Sequence, residues 1–409
     1  MGFEKNYLRS GVYIVGAGPG HADLLTLQAK RILEHADVVL YDYLVHPSII
    51  ALAPIQSHLI CVGKQKGKHS KTQDEINQLI LDCAKKNTLV VRLKGGDPVI
   101  FGRLGEEIAF LEQHGLFYQV VPGVTSATAG PTYVGIPLTH RMYSKSVAFV
   151  TGTTKKSEAL SQKELPTADT LVVMMALSQL SPLIERLIKL GNFHKKTPVA
   201  LISYATLSNQ DCLKSTLDSL KHDLKNHPMN SPCLMVVGDV VGIKREQDHF
   251  VKWPLSGRRI WLFQEKDRVE SLEKSLLFLG ADVIHQPLIY QEKIPIKASF
   301  SDDLHQSDWL VFTSPVAVDL FFEELLDQQI DIRSLQDKKI AVVGLKTAEV
   351  LKERGFFVDF MPRETANQEA MLADFCKYLK GLRVFLAQAK GARSVFEKGL
   401  EERGALCFK

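Results

Sequence analysis

Short β-branched runs alternate with helical spacing through the first half of the chain. Gly11-Val12-Tyr13-Ile14-Val15 enters a glycine turn at residues 16–20, and a helix is predicted from about 23 to 35. Residues 37–41 predict a second strand that ends on Asp42. Thr72 or Asp74 opens a helix to about 86, and residues 88–93 form a strand that runs into Gly95-Gly96-Asp97-Pro98. An amphipathic helix at 106–114, a strand at 118–121, a glycine turn at Gly123 and a helix start near Thr125 follow. Strand, turn and helix in series predict a parallel α/β lobe over residues 1–143.

From Ser146 the pattern changes. Strands at 147–151, 171–176, 199–203 and 234–238, with a helix at 182–190, predict a second, smaller α/β lobe over 144–243. Residues 244–257 are charged and aperiodic and read as a linker. Beyond it, 258–409 repeats strand, helix, glycine stop and strand: 260–263 to 279–283, 340–344 to 354–358, and 384–386 to 403–407. The fold class is therefore α/β, two lobes followed by a flavodoxin-like α/β region. Its last strand has barely begun at Lys409, so this region is expected to be an incomplete domain.

A chain of 409 residues with 45% hydrophobic and 23% charged residues can bury a large core in two or three domains. The net charge of +4 is mild, so local clusters matter more than the total, and no nucleic-acid partner is expected. Six cysteines, at 61, 83, 212, 233, 376 and 407, form no CxxC and no Cys/His ligand spacing. They read as reduced, mostly buried residues in a cytoplasmic protein without a metal site. Glu4, Lys5 and Arg9 interrupt any apolar signal sequence, and the longest apolar run, 171–177, falls far short of a membrane span.

The candidate chemistry gathers around residues 91–103. Gly95 and Gly96 let the backbone approach a ligand without a Cβ in the way, and Asp97, held extended before Pro98, projects a carboxylate from a stiff turn. Arg92, Lys94 and Arg103 surround it. The earlier turn is not a dinucleotide fingerprint: a third glycine would fall at His21, and Pro19 removes an N–H. Lys64, Lys66, Lys68, His69 and Lys71, broken by Gly67, form either a solvated loop or a basic grip on a ligand bearing several carboxylates or phosphates. Thr125 and Ser126 either cap their helix or face a ligand at the sheet edge.

Residues 11 to about 243 closely resemble the uroporphyrinogen-III C-methyltransferases of the tetrapyrrole methyltransferase family. The matching stretches are VGAGPG at 15–20, VVLYD at 38–42, VGK and GKHS within 62–70, RLKGGDP and IFGR within 92–103, PGVTSA at 122–127, GIPLTHR at 135–141 and SPCLMVVGDVV at 231–241. The resemblance implies a homodimer of two-lobed subunits with S-adenosyl-L-methionine between the lobes. It implies methylation of uroporphyrinogen III at C2 and then C7, giving precorrin-2 on the route to sirohaem or cobalamin. It places cofactor contacts on Pro19, Gly95, Gly96, Asp97, Ile100, Thr125, Ser126, Met175 and Ala205, a proton acceptor on Asp42 and a donor on Lys64. Lys66, Lys68, Arg103 and Arg141 are then the expected contacts to the substrate's carboxylates. Asp42 either stabilises the alkylated pyrrole as its proton leaves or orients the pyrrole N–H groups.

Four positions depart from the family pattern. Tyr43 and Gln65 stand where arginines are usual, Thr153 replaces a histidine, and Met174-Met175-Ala176 replaces Tyr-Met-Gly. Residues 258–409 resemble uroporphyrinogen-III synthase more faintly, through Phe312-Thr313-Ser314-Pro315, Ala317-Val318, Val343-Gly344, Thr347-Ala348 and 391–404. Gln264-Glu265 and Gln388 depart from that pattern, and full synthase activity is not expected.

Overall fold

Strand β1 (Gly11–Gly16) runs between β4 (Leu89–Lys94) and β5 (Tyr118–Val121), and β2 (Val38–Tyr41) and β3 (His58–Cys61) complete a parallel sheet in the order β3-β2-β4-β1-β5. This computed structural model describes residues 8–63, 71–86, 88–152, 165–189, 193–243, 253–264, 266–288, 294, 299–362, 368–375, 381–388 and 395–408. Strands β1 and β4 are buried along their whole length, as parallel strands covered on both faces must be. The helices that cover them are α1 (Leu27–Leu33), α3 (Gln73–Ala84) and α4 (Leu104–Gln113), with the short α2 (Pro47–Ile50) after β2. Tyr13 and Val15 pack with Ile32 and Leu33 of α1, whereas Val12 and Ile14 pack with Ile76 and Ile80 of α3 and Leu111 of α4. The connections from β1 and β4 leave in opposite directions, which frames a crevice at the sheet's carboxyl edge.

Local signals place these helices. The helix predicted over 23–35 is broken in two, with a 3-10 turn at Ala22–Leu24 ahead of α1. The break falls where Thr26 caps α1, its Oγ1 accepting from the Ala29 N–H at 3.2 Å. Thr72 opens α3 in a capping box with Glu75.

The second lobe is a mixed sheet of β6 (Val147–Thr151), β7 (Thr170–Met174), β8 (Pro198–Ser203), β9 (Asp211–Thr216) and β10 (Cys233–Val237), ordered β6-β7-β10-β8-β9. Only β6 and β7 are parallel among these pairs. Helix α5 (Ser126–Tyr133) belongs by sequence to the first lobe but shares the second lobe's core. Ala127, with Val134 and Ile136 just beyond the helix, packs with Val172, Ala200, Ile202 and Leu234. The opposite face of that sheet is covered by α6 (Leu180–Lys189) and bordered by α7 (Leu220–Asn226).

The chain divides into two compact units, Met1–Tyr290 and Gln291–Lys409. The linker read over 244–257 lies outside the described residues from 244 to 252. The first unit extends past it to include β11 (Arg259–Leu262), α8 (Lys266–Phe278) and the parallel partner β12 (Asp282–His285). Sequence reading places that segment at the start of the C-terminal region; in the first compact unit its β12 packs on α2. Its Asp282 is buried there, with Oδ1 2.8 Å from His46 Nε2, an ion-pair approach made without hydrogen-bond alignment. Arg259 Nε donates to the other oxygen at 2.7 Å. Burial pushes the Asp282 carboxyl upward, but His46 and Arg259 outweigh it and hold the group below its usual value.

The second unit is a parallel sheet ordered β14-β13-β15-β16, from β13 (Trp309–Phe312), β14 (Lys339–Val342), β15 (Arg383–Ala387) and β16 (Leu406–Phe408). That is the order of a flavodoxin-like sheet. Helices α9 (Phe300–Gln306), α10 (Pro315–Asp327) and α11 (Leu345–Glu353) pack on one face, and α12 (Gln368–Phe375) and α13 (Val395–Glu401) on the other. The central strand β13 was not predicted, and the strand predicted over 354–358 does not form; only Phe360 bridges Ala341 there.

Asp282→Asn is expected to cost the first unit about 1–3 kcal/mol at neutral pH, because it strips a buried anion from between two partners. A carboxyl held low contributes fully above its unfolded value of about 4 and fades as the pH falls through its folded value. The gap between variant and parent in denaturant midpoint should therefore narrow as the pH is lowered from about 4, the unfolded value, through the lower folded one. A gap unchanged by acid would show that the charge does not matter.

Candidate functional site

Three loops of the first lobe meet at the carboxyl edge of the sheet with almost no space between their backbones. A Cβ added at Gly16 would lie 2.6 Å from Gly123 Cα, and one at Gly123 would lie 2.3 Å from the Gly96 carbonyl oxygen. The loops after β1 and β4 also pair directly, Gly18 N–H to Gly96 O at 3.1 Å and Gly96 N–H to Gly18 O at 2.8 Å. Gly96 has φ +68, the left-handed region that glycine occupies without strain. Pro19 follows in the first of these loops, and the backbone of Thr125 and Ser126 lies across from Gly96. Gly95 is exposed, and a Cβ there would meet nothing within 4 Å, so the space over the turn is open.

Asp97 does not project freely. One carboxylate oxygen accepts from the Val99 N–H at 2.8 Å and the other from the Gly123 N–H at 2.9 Å. It closes its own turn and ties the β4 loop to the β5 loop. Ile100 follows in the same turn, half-buried. Thr125 Oγ1 caps α5 by accepting from the Ala127 N–H at 3.3 Å, so the capping alternative is the one realised for that hydroxyl.

Asp42 leaves the end of β2 beside this turn. Its Oδ1 accepts from Arg92 Nη2 at 2.6 Å and its Oδ2 from the Gly95 N–H at 3.3 Å. Arg92 and Lys94, expected as basic residues around the turn, point inward instead and are each only 3% exposed. Their partner is Glu107 of α4, which sequence reading passed over. Arg92 Nε donates to it at 3.1 Å, and Lys94 Nζ reaches both of its oxygens at 2.9 Å. Burial pushes against the Arg92 charge, but Asp42 and Glu107 outweigh it and raise its pKa. Burial, and then Arg92, push the Lys94 ammonium below its usual value despite Glu107.

The second lobe carries strained backbone in the loops after β7 and β8, and the latter reaches the first lobe. Met175, just after β7, has φ 57, and Tyr204 and Thr206, on either side of Ala205 after β8, have φ 47 and 72. Such conformations cost a non-glycine residue free energy and cluster where a site needs them. The His21 N–H donates to Thr206 Oγ1 at 3.2 Å, joining the loop after Pro19 to the loop of Ala205. Ala205 is buried at 9% exposure and Met175 is half exposed.

The expected substrate contacts are less gathered. Arg103 has φ 57, sits at the N-cap of α4 and pairs with Glu106 at the surface. Such an exposed pair is worth under about 1 kcal/mol and exchanges readily for another carboxylate. Arg141 is exposed in the turn bridged by His140 and Ser144. Lys64, Lys66, Lys68, Gln65 and Thr153 lie outside the described residues. Gly63 is described, and a Cβ on it would lie 2.0 Å from the Tyr43 nitrogen, so the chain just before Lys64 abuts the residue after Asp42. Among the described residues no cluster of three or more His, Cys, Asp or Glu side chains is placed to hold a metal, and no helix is long and apolar enough to cross a membrane.

The family described as Tetrapyrrole (Corrin/Porphyrin) Methylases matches residues 11–221, and that described as Uroporphyrinogen-III synthase HemD matches residues 270–408. The chain is 37% identical over 359 residues to the porphyrin biosynthesis protein HemD of Ruminiclostridium josui, covering 86% of this chain and 71% of that protein. It is 36% identical over 356 residues to the uroporphyrinogen-III C-methyltransferase of Bacillus subtilis, covering 85% and 72%. The fold matches the crystal structure of uroporphyrin-III C-methyl transferase from Thermus thermophilus complexed with S-adenyl homocysteine. That match has a TM-score of 0.51 at 37% identity and covers 57% of this chain and all of that one. Two lobes, a glycine-lined edge and these matches together place the chain in the tetrapyrrole (corrin/porphyrin) methylase family.

Proposed function

We propose that this chain transfers methyl groups from S-adenosyl-L-methionine to C2 and C7 of uroporphyrinogen III, forming precorrin-2 for sirohaem or cobalamin. The observation that carries this reading is the open space over Gly95, with the Asp42 carboxylate anchored at its rim. The residues fit the methyl donor: glycine backbone without side chains on one wall, and Met175 and Ala205 on loops of the second lobe. When bound, the donor supplies an electrophilic methyl group on a sulfonium.

The chain's own residues then have three tasks. Pro19, Gly95, Gly96, Asp97, Ile100, Thr125, Ser126, Met175 and Ala205 form the cofactor cradle, Asp97 by holding the β4 and β5 loops together. Asp42 faces the cationic character that builds on the alkylated pyrrole and receives its proton, with Lys64 as the donor group. Lys66, Lys68, Arg103 and Arg141 hold the carboxylates of the macrocycle through charge-assisted hydrogen bonds, which fixes the orientation of the ring. We further propose that the enzyme works in the cytoplasm as a homodimer.

Incubation with uroporphyrinogen III and S-adenosylmethionine should add two methyl groups to the tetrapyrrole, read by mass and by the carbons that carry them. A product methylated elsewhere would assign the chain to a different reaction of the family. Asp42→Asn should keep S-adenosylhomocysteine affinity and lower turnover by about 100-fold or more, the scale of one lost proton-transfer group. Wild-type turnover would remove Asp42 from the chemistry. Asp97→Ala should weaken S-adenosylhomocysteine binding by roughly tenfold in calorimetry, since it frees two backbone N–H groups and loosens the cradle. Unchanged affinity would count against the cleft.

A further inference from the structure

The first lobe links four charged side chains in one chain of contacts, Arg92, Glu107 and Lys94 buried and Asp42 at the rim. Two are anions and two are cations, so the cluster is neutral. Neutrality alone does not explain it, because desolvating ion pairs costs about as much as they return, and apolar side chains of similar volume pack as well. What the cluster supplies is orientation. Every nitrogen of the Arg92 guanidinium is engaged: Nε by Glu107 at 3.1 Å, Nη1 by the carbonyls of Leu40 and Leu93 at 3.4 and 3.3 Å, and Nη2 by Asp42 at 2.6 Å.

Glu107 is the fixed end of this arrangement. Its side chain is fully buried in the first turn of α4, where the helix dipole favours an anion. It also accepts from Gln73 Nε2 of α3 at 3.3 Å, and Lys94 holds both of its oxygens. At the other end, Asp42 is one-third exposed at the rim of the crevice. Glu107 fixes one side of the guanidinium, and the other side, together with the Gly95 N–H, fixes the Asp42 carboxylate.

We propose that Glu107 is a positioning residue that acts through Arg92 to aim the Asp42 carboxylate at the substrate. This rests on the reading of Asp42 as the group that meets the alkylated pyrrole. Without the Glu107 carboxylate, Arg92 keeps Asp42 and two long carbonyl contacts but loses its charged anchor on Nε, so the carboxylate is left to the guanidinium's remaining contacts and the 3.3 Å bond from Gly95. Displacements of this kind cost turnover rather than affinity.

The test is a double-mutant cycle on the full chain. Glu107→Gln should lower kcat about 10- to 100-fold, with the KM for S-adenosylmethionine and the affinity for S-adenosylhomocysteine unchanged. In an Asp42→Asn background, where single-turnover rates stay measurable, the same substitution should cost nothing further. Equal losses in both backgrounds, or no loss in the parent, would overturn the proposal and leave Glu107 as a structural ion. Wild-type turnover in Asp42→Asn alone would instead overturn the reading of Asp42, and the proposal with it. Should Glu107→Gln not fold, Lys94→Met/Glu107→Gln keeps the cluster neutral while releasing Arg92, and the same loss of kcat is expected.

Discussion

The tightest constraint in the first lobe is the contact of bare backbone with bare backbone where Gly16, Gly96 and Gly123 meet. Three strands of a parallel sheet end there, and any side chain between them would force the loops apart. Because no side chain intervenes, Asp97 can reach from one loop to the N–H of another, and Gly95 can offer its own N–H to Asp42. The crevice is thus built almost wholly from main chain, with a few carboxylates as rivets. Such a surface is rigid, and rigidity suits a reaction whose demand is alignment rather than a covalent protein intermediate.

Inside that frame, charge is distributed in a way the residue types do not announce. Arg92 and Lys94 alternate along β4 and face inward, where Glu107 and Asp42 neutralise them. The two cations nearest the central turn are therefore unavailable to a polyanionic substrate. In the function proposed above that task falls to loop residues such as Arg103 and Arg141, which are exposed. A division between buried charges that aim and exposed charges that attract follows from desolvation: a cation already paired in the interior gains little from a further carboxylate.

Much of this was legible in the sequence, and the misses have physical reasons. The strands β1, β4 and β5 announce themselves through β-branched runs leading into glycine turns, and β2 through a similar run ending on Asp42. Strand β9 was missed because its residues, Asp211–Thr216, are mostly polar, and as an edge strand it needs little apolar surface. Residues 354–358 have strand-like composition, but the contact with the edge of β14 is made just beyond them, at Asp359 and Phe360, and which residues pair is a tertiary fact. Glu107 was passed over for the same kind of reason. It lies on a helix of ordinary amphipathic pattern, and only the sheet's register brings Arg92 and Lys94 to it. The turn carboxylate Asp97 was found, but its commitment to two backbone donors depends on a loop 26 residues away.

The buried meeting of His46 with Asp282 bears on how modules of this kind can be exchanged. In sequence the methyltransferase stretch and the segment after it look like separable cassettes joined by a charged spacer. In three dimensions a histidine just past the end of β2 shares its burial with an aspartate from the far side of that spacer. Recombination that replaced either cassette by a counterpart with a different residue at this position would strand a polar group away from water. A change at His46 or at Asp282 alone is therefore penalised by desolvation, and the two positions, 236 residues apart in the chain, are physically one locus.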